Sequence, residues 1–339
     1  MKALPLVILA SAAAMAACTP SEGSTRVAGP ATVALAVPAP SALILLPAIL
    51  AQRLGFYTDE ALDVRLEYFQ AGSKALQALL AGDVDVVEGV YEHTVHMAAR
   101  GQSLTSFVTL GRSPGAVLAV SPRSRRTITQ VEDLKGAAVG VSAPGSATHF
   151  FANDILVQHG LSPNDVGIQA VGSGATAIAA METGQVDAAV LLEPTVSQLE
   201  QRLGRLQILA DTRTERGARE IFGTDSYPGI GLYTRSAWIA GHEDTARKLA
   251  RAMTRTLRWL HDHSAEDIAA RMPPELRGEN TGVYVRALAL GKSMFPLDGR
   301  MSLRDAETAR RLLALSIPEV RDAHIDLSKT FTNEFLPAK

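Results

Sequence analysis

The feature that most constrains this chain is a unit that recurs along it: an apolar strand, a loop of small residues, and a helix closed by glycine. It is clearest between residues 134 and 193. Residues 138–141 read as a buried strand, and Ser142-Ala143-Pro144-Gly145-Ser146 as the loop. A helix follows over 147–159, with Ser146 as N-cap and Gly160 as stop. A second strand near 166–171, a second loop Gly172-Ser173-Gly174 and a second helix over 175–183, stopped by Gly184, repeat the pattern before a third strand at 187–191. Strands alternating with helices demand a mostly parallel sheet with helices on its faces. Ligands of such sheets sit beyond the C-terminal strand ends, where helix N-terminal N–H groups point outward.

The same unit opens the chain. Residues 33–37 form an apolar strand run, residues 38–41 a loop, and a helix ends at Leu54 before Gly55. Residues 62–68 alternate as a strand. Gln70-Ala71-Gly72-Ser73 leads into a helix with Ser73 as N-cap and Ala75, Leu76, Leu79 and Leu80 as its apolar face. A strand at 84–90, a helix opened by Tyr91 and Glu92, and strands at 104–110 and 116–120 complete this half. After Leu209 the rhythm fades. One strand remains at 229–234, followed by a long amphipathic helix over 243–263 with Leu249, Met253, Leu257 and Leu260 in register. Helices at 265–271, 282–290 and 302–315 are expected to pack back on the first half. The expected organisation is α/β with two lobes, each a mostly parallel sheet flanked by helices. Residues 32–121 plus 228–339 make lobe 1, residues 122–227 make lobe 2, and crossovers near 121 and 227 act as a hinge.

Residues 1–17 read as a signal peptide. Lys2 supplies the positive start, and the apolar run is too short to span a bilayer in a mature protein. Met15-Ala16-Ala17-Cys18 resembles a bacterial lipobox, which makes Cys18 the expected lipidation site and residues 18–31 a tether. Cys18 is the single cysteine, so neither a disulfide framework nor a thiolate metal site is available to the fold. A formal net charge of −2 with 20% charged residues offers no nucleic-acid surface.

Catalytic signatures are weak. No G-x-S-x-G elbow occurs, and Gly291-Lys292-Ser293 lacks the first P-loop glycine, with Arg286 in its place. His93 and His96, three apart near Glu88 and Glu92, have metal-compatible spacing, but a helix start accounts for them as well. Neither a metal nor a cofactor is expected. Trp238 and Trp259 are read as packing, and His261-Asp262-His263 as the surface end of a helix.

Six short stretches carry a family resemblance: Leu54-Gly55-Phe56-Tyr57, Glu60-Ala61-Leu62-Asp63-Val64, Gly82-Asp83-Val84-Asp85, Asp133-Leu134-Lys135-Gly136, Gly184-Gln185-Val186-Asp187-Ala188 and Glu193-Pro194. In this order the chain resembles periplasmic substrate-binding proteins of ABC importers, in the group that takes nitrate, sulfonates, taurine and thiamine precursors. The resemblance covers residues 32–336, with Ala61 where the group usually has glycine. It implies a type II periplasmic-binding-protein fold, capture of a small solute between the lobes, delivery to a permease with its ATPase, a monomer, and a periplasmic or envelope location on a lipid anchor. Fold-related enzymes of cofactor biosynthesis are the alternative. The pyrimidine synthases among them carry a cysteine-rich motif, which this chain lacks. A ligand-sensing envelope protein without transport is the other.

Loop positions nominate the cleft residues: Ser41, Ser73, Glu88, Tyr91 and Glu92 from the first lobe, Ser146, Thr148, His149, Ser173, Thr176 and Glu193 from the second, and Tyr227 beside the second crossover. Two signals disagree over the ligand. Helix N-termini with Ser and Thr suit a sulfonate, nitrate or carboxylate. Glu88, Glu92 and Glu193 oppose an anion and suit an amino-pyrimidine or another cation.

Overall fold

Ten strands sort into two sheets in a computed structural model that describes residues 29–224 and 227–338. The signal segment, Cys18 and nearly all of the tether lie outside the described residues. The strands are β1 Ala31–Pro38, β2 Leu62–Phe69, β3 Val86–Val90, β4 Leu104–Thr109, β5 Ala116–Val120, β6 Ala138–Val141, β7 Gly167–Ala170, β8 Ala188–Leu192, β9 Ile208–Asp211 and β10 Ile230–Arg235. The helices of the repeated units are α1 Leu46–Arg53, α2 Phe56–Asp59, α3 Gly72–Ala81, α4 Glu92–Ala99, α5 Ala147–Gln158, α6 Ala175–Thr183, α7 Thr195–Leu203 and α8 Glu215–Phe222. Those of the C-terminal segment are α9 Ser236–Gly241, α10 Glu243–Asp262, α11 Ala265–Arg271, α12 Pro274–Arg277, α13 Thr281–Gly291, α14 Leu303–Ser316 and α15 Pro318–Asp322.

The sheets have equivalent orders, β2-β1-β3-β10-β4 and β7-β6-β8-β5-β9. In the first, β1 pairs parallel with β2 and β3 while β10 runs antiparallel between β3 and β4. In the second, β6 pairs parallel with β7 and β8 while β5 runs antiparallel between β8 and β9. Each antiparallel strand is the first one the chain makes after crossing over. This corrects the expected boundary: β5 belongs to the second sheet, so the first crossover is the segment 110–115, ahead of position 121. The apolar run Ala-Val-Leu-Ala-Val announces a fully buried strand but not which of two sheets buries it. The two crossovers run side by side, Gly229 N–H donating to the Gly111 carbonyl at 2.8 Å.

Glycine punctuation set most boundaries. α3 ends at Gly82 (φ 89°) and α6 at Gly184 (φ 69°), both in the left-handed region that closes a helix at little cost only without a Cβ. Ala61, in the group's glycine position, holds φ 53° before β2; a residue with Cβ there gives up about 1–2 kcal/mol. α10 buries Leu249, Met253, Leu257 and Leu260 on one stripe against the first sheet's core. Each such side chain contributes roughly 1.5–3 kcal/mol. Lys292 closes that helix, its ammonium donating to the carbonyls of His261 and His263 at 2.9 and 2.5 Å. The Gly-Lys-Ser triplet is therefore a helix stop.

The C-terminal helices do not pack on the first lobe alone. Leu312 of α14 enters the second sheet's core with Phe151 and Ile155, and Ala309 and Leu313 join a cluster with Tyr91 of the first lobe and Phe150 of the second. An amphipathic helix advertises its apolar stripe, not the number of surfaces that stripe covers.

Candidate functional site

Between the sheets, beyond the C-terminal ends of β1, β3, β6 and β8, lies a narrow cavity of about 60 Å³. The N-terminal residues of four helices line it: Ala71 and Gly72 of α3, Ser146, Ala147 and Thr148 of α5, Gly174 and Ala177 of α6, and Thr195 of α7. The strand-loop-helix units place them there, because every such unit ends its strand at the cleft and starts its helix from it. Hydroxyls of Ser41, Ser142, Ser146, Thr148, Ser173 and Thr195 are interspersed with an apolar wall that includes Ile44, Leu45, Val90, Pro114, Leu191 and Ile230. No ionisable and no aromatic side chain lines the cavity among the described residues. The side-chain electrostatics of its described wall come from hydroxyls, and the helix N-termini add the positive ends of their dipoles, which favour an electron-rich group. Ala39, also in the wall, sits at φ 46°, a strained conformation of the kind that collects at binding sites.

The two lobes meet around this cavity. The Ser73 N–H donates to Ser146 Oγ at 3.0 Å, and that hydroxyl donates onward to Ser73 Oγ at 3.1 Å. Leu43 N–H donates to the Glu193 carbonyl at 2.8 Å, and Ser173 Oγ to the Gln70 carbonyl at 3.4 Å. His93, buried on α4, reaches the Gly145 carbonyl from Nε2 at 3.1 Å. A carbonyl only accepts, so Nε2 carries the proton and Nδ1 accepts from the Tyr233 hydroxyl at 2.9 Å. Burial pushes the imidazole down to about 4, which keeps it neutral. Gly174 marks a close approach, since a Cβ there would stand 3.0 Å from Ser41 Oγ.

Of the residues nominated from sequence, Ser41, Ser146, Thr148 and Ser173 line the cavity. Ser146 occupies the N-cap position of α5, but its hydroxyl serves the other lobe instead of its own helix. Ser73 is the second residue of α3, not its cap, and stands one place behind Gly72. The carboxylates and their neighbours are elsewhere. Glu88 is fully buried against α1, accepting the Ala48 N–H at 3.1 Å, and burial raises it well above the usual carboxylate range. Tyr91 bonds Thr330, and Glu92 accepts from the Tyr227 hydroxyl. Tyr227 itself stacks on Phe222 at 4.7 Å. Glu193 pairs with Arg213 at 2.6 Å and accepts from the Ser197 N–H and hydroxyl, both at 3.1 Å. His149 takes the Gly145 N–H on Nδ1, and Thr176 is exposed, its hydroxyl turned to the Ser173 carbonyl. Sequence reasoning missed Ser142, Gly72, Gly174 and Thr195. The small-residue loops and the helix start after Glu193-Pro194 were the available signals. His93 and His96 form no metal cluster; among the described residues no group of three or more His, Cys, Asp or Glu could hold an ion.

Two facing lobes with exchanged crossover strands and a cavity of helix N-termini between them define the two-lobed, type II periplasmic-binding-protein fold. The chain belongs to the NMT1/THI5-like family, whose model matches residues 45–267. A structure from Bordetella bronchiseptica RB50 superposes with a TM-score of 0.86 at 37% identity, over 90% of this chain and 95% of that one. The alkanesulfonate-binding protein SsuA from Xanthomonas axonopodis pv. citri, bound to MOPS, has the same fold with a TM-score of 0.71 at 19% identity, over 90% and 99% of the two chains. The putative binding protein YtlA of Bacillus subtilis (strain 168) is 24% identical over 77% of this chain and 74% of its own length. A pyrimidine phosphate synthase of Schizosaccharomyces pombe is 28% identical over 44% of this chain and 41% of its own.

Proposed function

We propose that this chain is the solute-capturing component of an ABC importer and that its ligand is a small organic anion, a sulfonate or carboxylate with a short aliphatic body. The observation that carries the reading is the chemistry of the cavity wall: four helix N-termini and six hydroxyls at one set of positions, aliphatic side chains at the rest, and no ionisable group. An anionic head fits the first set. The aliphatic body fits the second, which has no aromatic face for a flat heterocycle to stack on. Glu88, Glu92 and Glu193, the ground for an amine-bearing or pyrimidine ligand, are turned away and engaged with the protein. General acid–base chemistry needs a titratable group within hydrogen-bond reach of the substrate, so the same wall favours binding over catalysis.

A thermal-shift screen tests this. Short alkanesulfonates and alkanecarboxylates are expected to raise the melting temperature. A ligand at about a hundred times its Kd stabilises the native state by about 2.7 kcal/mol. A screen in which amines or amino-pyrimidines stabilise and anions do not overturns the reading.

Delivery to a permease and its ATPase, a monomeric state, and an envelope location on a lipid anchor at Cys18 are parts of the same proposal. The single cysteine has no partner for a disulfide, and it follows Met15-Ala16-Ala17. Cys18→Ser is expected to release the protein from the membrane fraction with ligand binding intact. A variant that stays with the membrane as the parent does refutes the anchor.

A further inference from the structure

Behind the cavity, away from the ligand wall, four separately folded parts of the chain converge: α4 of the first lobe, α5 of the second, the returning crossover at Tyr227, and the end of α14. Glu92 sits at the start of α4 and Asp154 in the middle of α5, and they are only 5% and 3% exposed. They are close enough that each raises the neighbouring Tyr227 phenol and Glu92 raises Asp154. Glu92 Oε1 accepts from Tyr227, but Glu92 Oε2 and Asp154 Oδ1 are buried without a hydrogen-bond partner among the described residues. Two like charges in a dry site cannot both be kept, and an unpaired buried carboxylate is costly.

The other groups around them do not supply a full countercharge. From α14, Ser316 and Arg311 act on Asp154, where one guanidinium faces two buried carboxylates. Asp305 of α14 adds negative charge near Tyr91. On α4 itself, His96 is held down by burial and by Arg100, which pairs with Glu319 of α15 at 3.2 Å.

We propose that Glu92 and Asp154, one from each lobe, are not both ionised in the native protein, so that the junction between the lobes is held together in acid and loosened in alkali. Burial lifts Glu92 to about 7 and Asp154 well above the ordinary range. A carboxyl raised on folding binds its proton more tightly in the native state. Its contribution is complete below the unfolded value near 4.5 and is lost as pH rises through about 7.

Thermal unfolding of the parent and of Glu92→Gln, between pH 5 and pH 8, tests the pair. Glutamine keeps the acceptor for Tyr227 and cannot ionise. The variant is expected to match the parent at pH 5 and to melt higher at pH 8, by a shift on the order of 5 °C. Equal offsets at both pH values, or a variant that melts lower at both, overturn the proposal. Infrared spectra give a readout that does not depend on stability. The parent should show a protonated-carboxyl C=O band at pH 7 that weakens in both Glu92→Gln and Asp154→Asn. An unchanged band in both variants overturns it as well.

Discussion

Arg213→Leu is expected to destabilise the protein by about 3–5 kcal/mol, the cost of leaving one member of a buried ion pair uncompensated. Arg213 and Glu193 are 10% and 4% exposed at the side chain and 2.6 Å apart. The guanidinium also holds Asp211 at 2.6 Å, tying the end of β9 to the start of α7. Without it, Glu193 keeps the two Ser197 donors alone among the described residues. The urea midpoint of the single variant should fall, and the double variant Arg213→Leu/Glu193→Leu should recover more than half of the loss, because it removes the buried charge along with its partner. A single-variant cost below about 1 kcal/mol would place the pair among exposed ion pairs of little consequence. Thr195 lines the cavity from the first turn of α7, and the Glu193 carbonyl takes Leu43 N–H from the other lobe. The same substitution should therefore weaken ligand binding.

Ser41→Trp is expected to abolish ligand binding with little change in stability. Ser41 lies on a partly exposed loop lining the cavity, close to Gly174 of the opposite lobe. An indole there occupies the cavity and holds α6 away from the first lobe. Calorimetry on the variant should show affinity reduced by at least about 100-fold, or about 2.7 kcal/mol. Near-parental affinity would mean that the solute binds elsewhere.

How much of this was legible beforehand differs by residue. The strand at 138–141 and the helix at 175–183 were found as expected, since apolar runs and glycine stops are local signals that the tertiary structure did not override. The lobe assignment of β5 was not, because its register partners are β8 and β9, far along the chain. Ser146 was found for the wrong reason. Cap chemistry predicted its position, but its hydroxyl is spent on Ser73, a pairing set by how two lobes meet. The acidic residues misled for a related cause. A glutamate at a strand end reads as a cleft residue, yet Glu193 is drawn inward by Arg213 and Glu88 by the N-terminal N–H of α1. Nothing in the sequence beside either residue names that partner.

The central claim is that the cavity takes an anionic head on helix N-termini with no side-chain countercharge. Isothermal titration of the parent with an alkanesulfonate, an alkanecarboxylate and an alkylamine of equal chain length tests it most directly. Saturable binding of at least one of the two anions and none of the amine is the expected result. Saturable binding of the amine with neither anion taken up would contradict it.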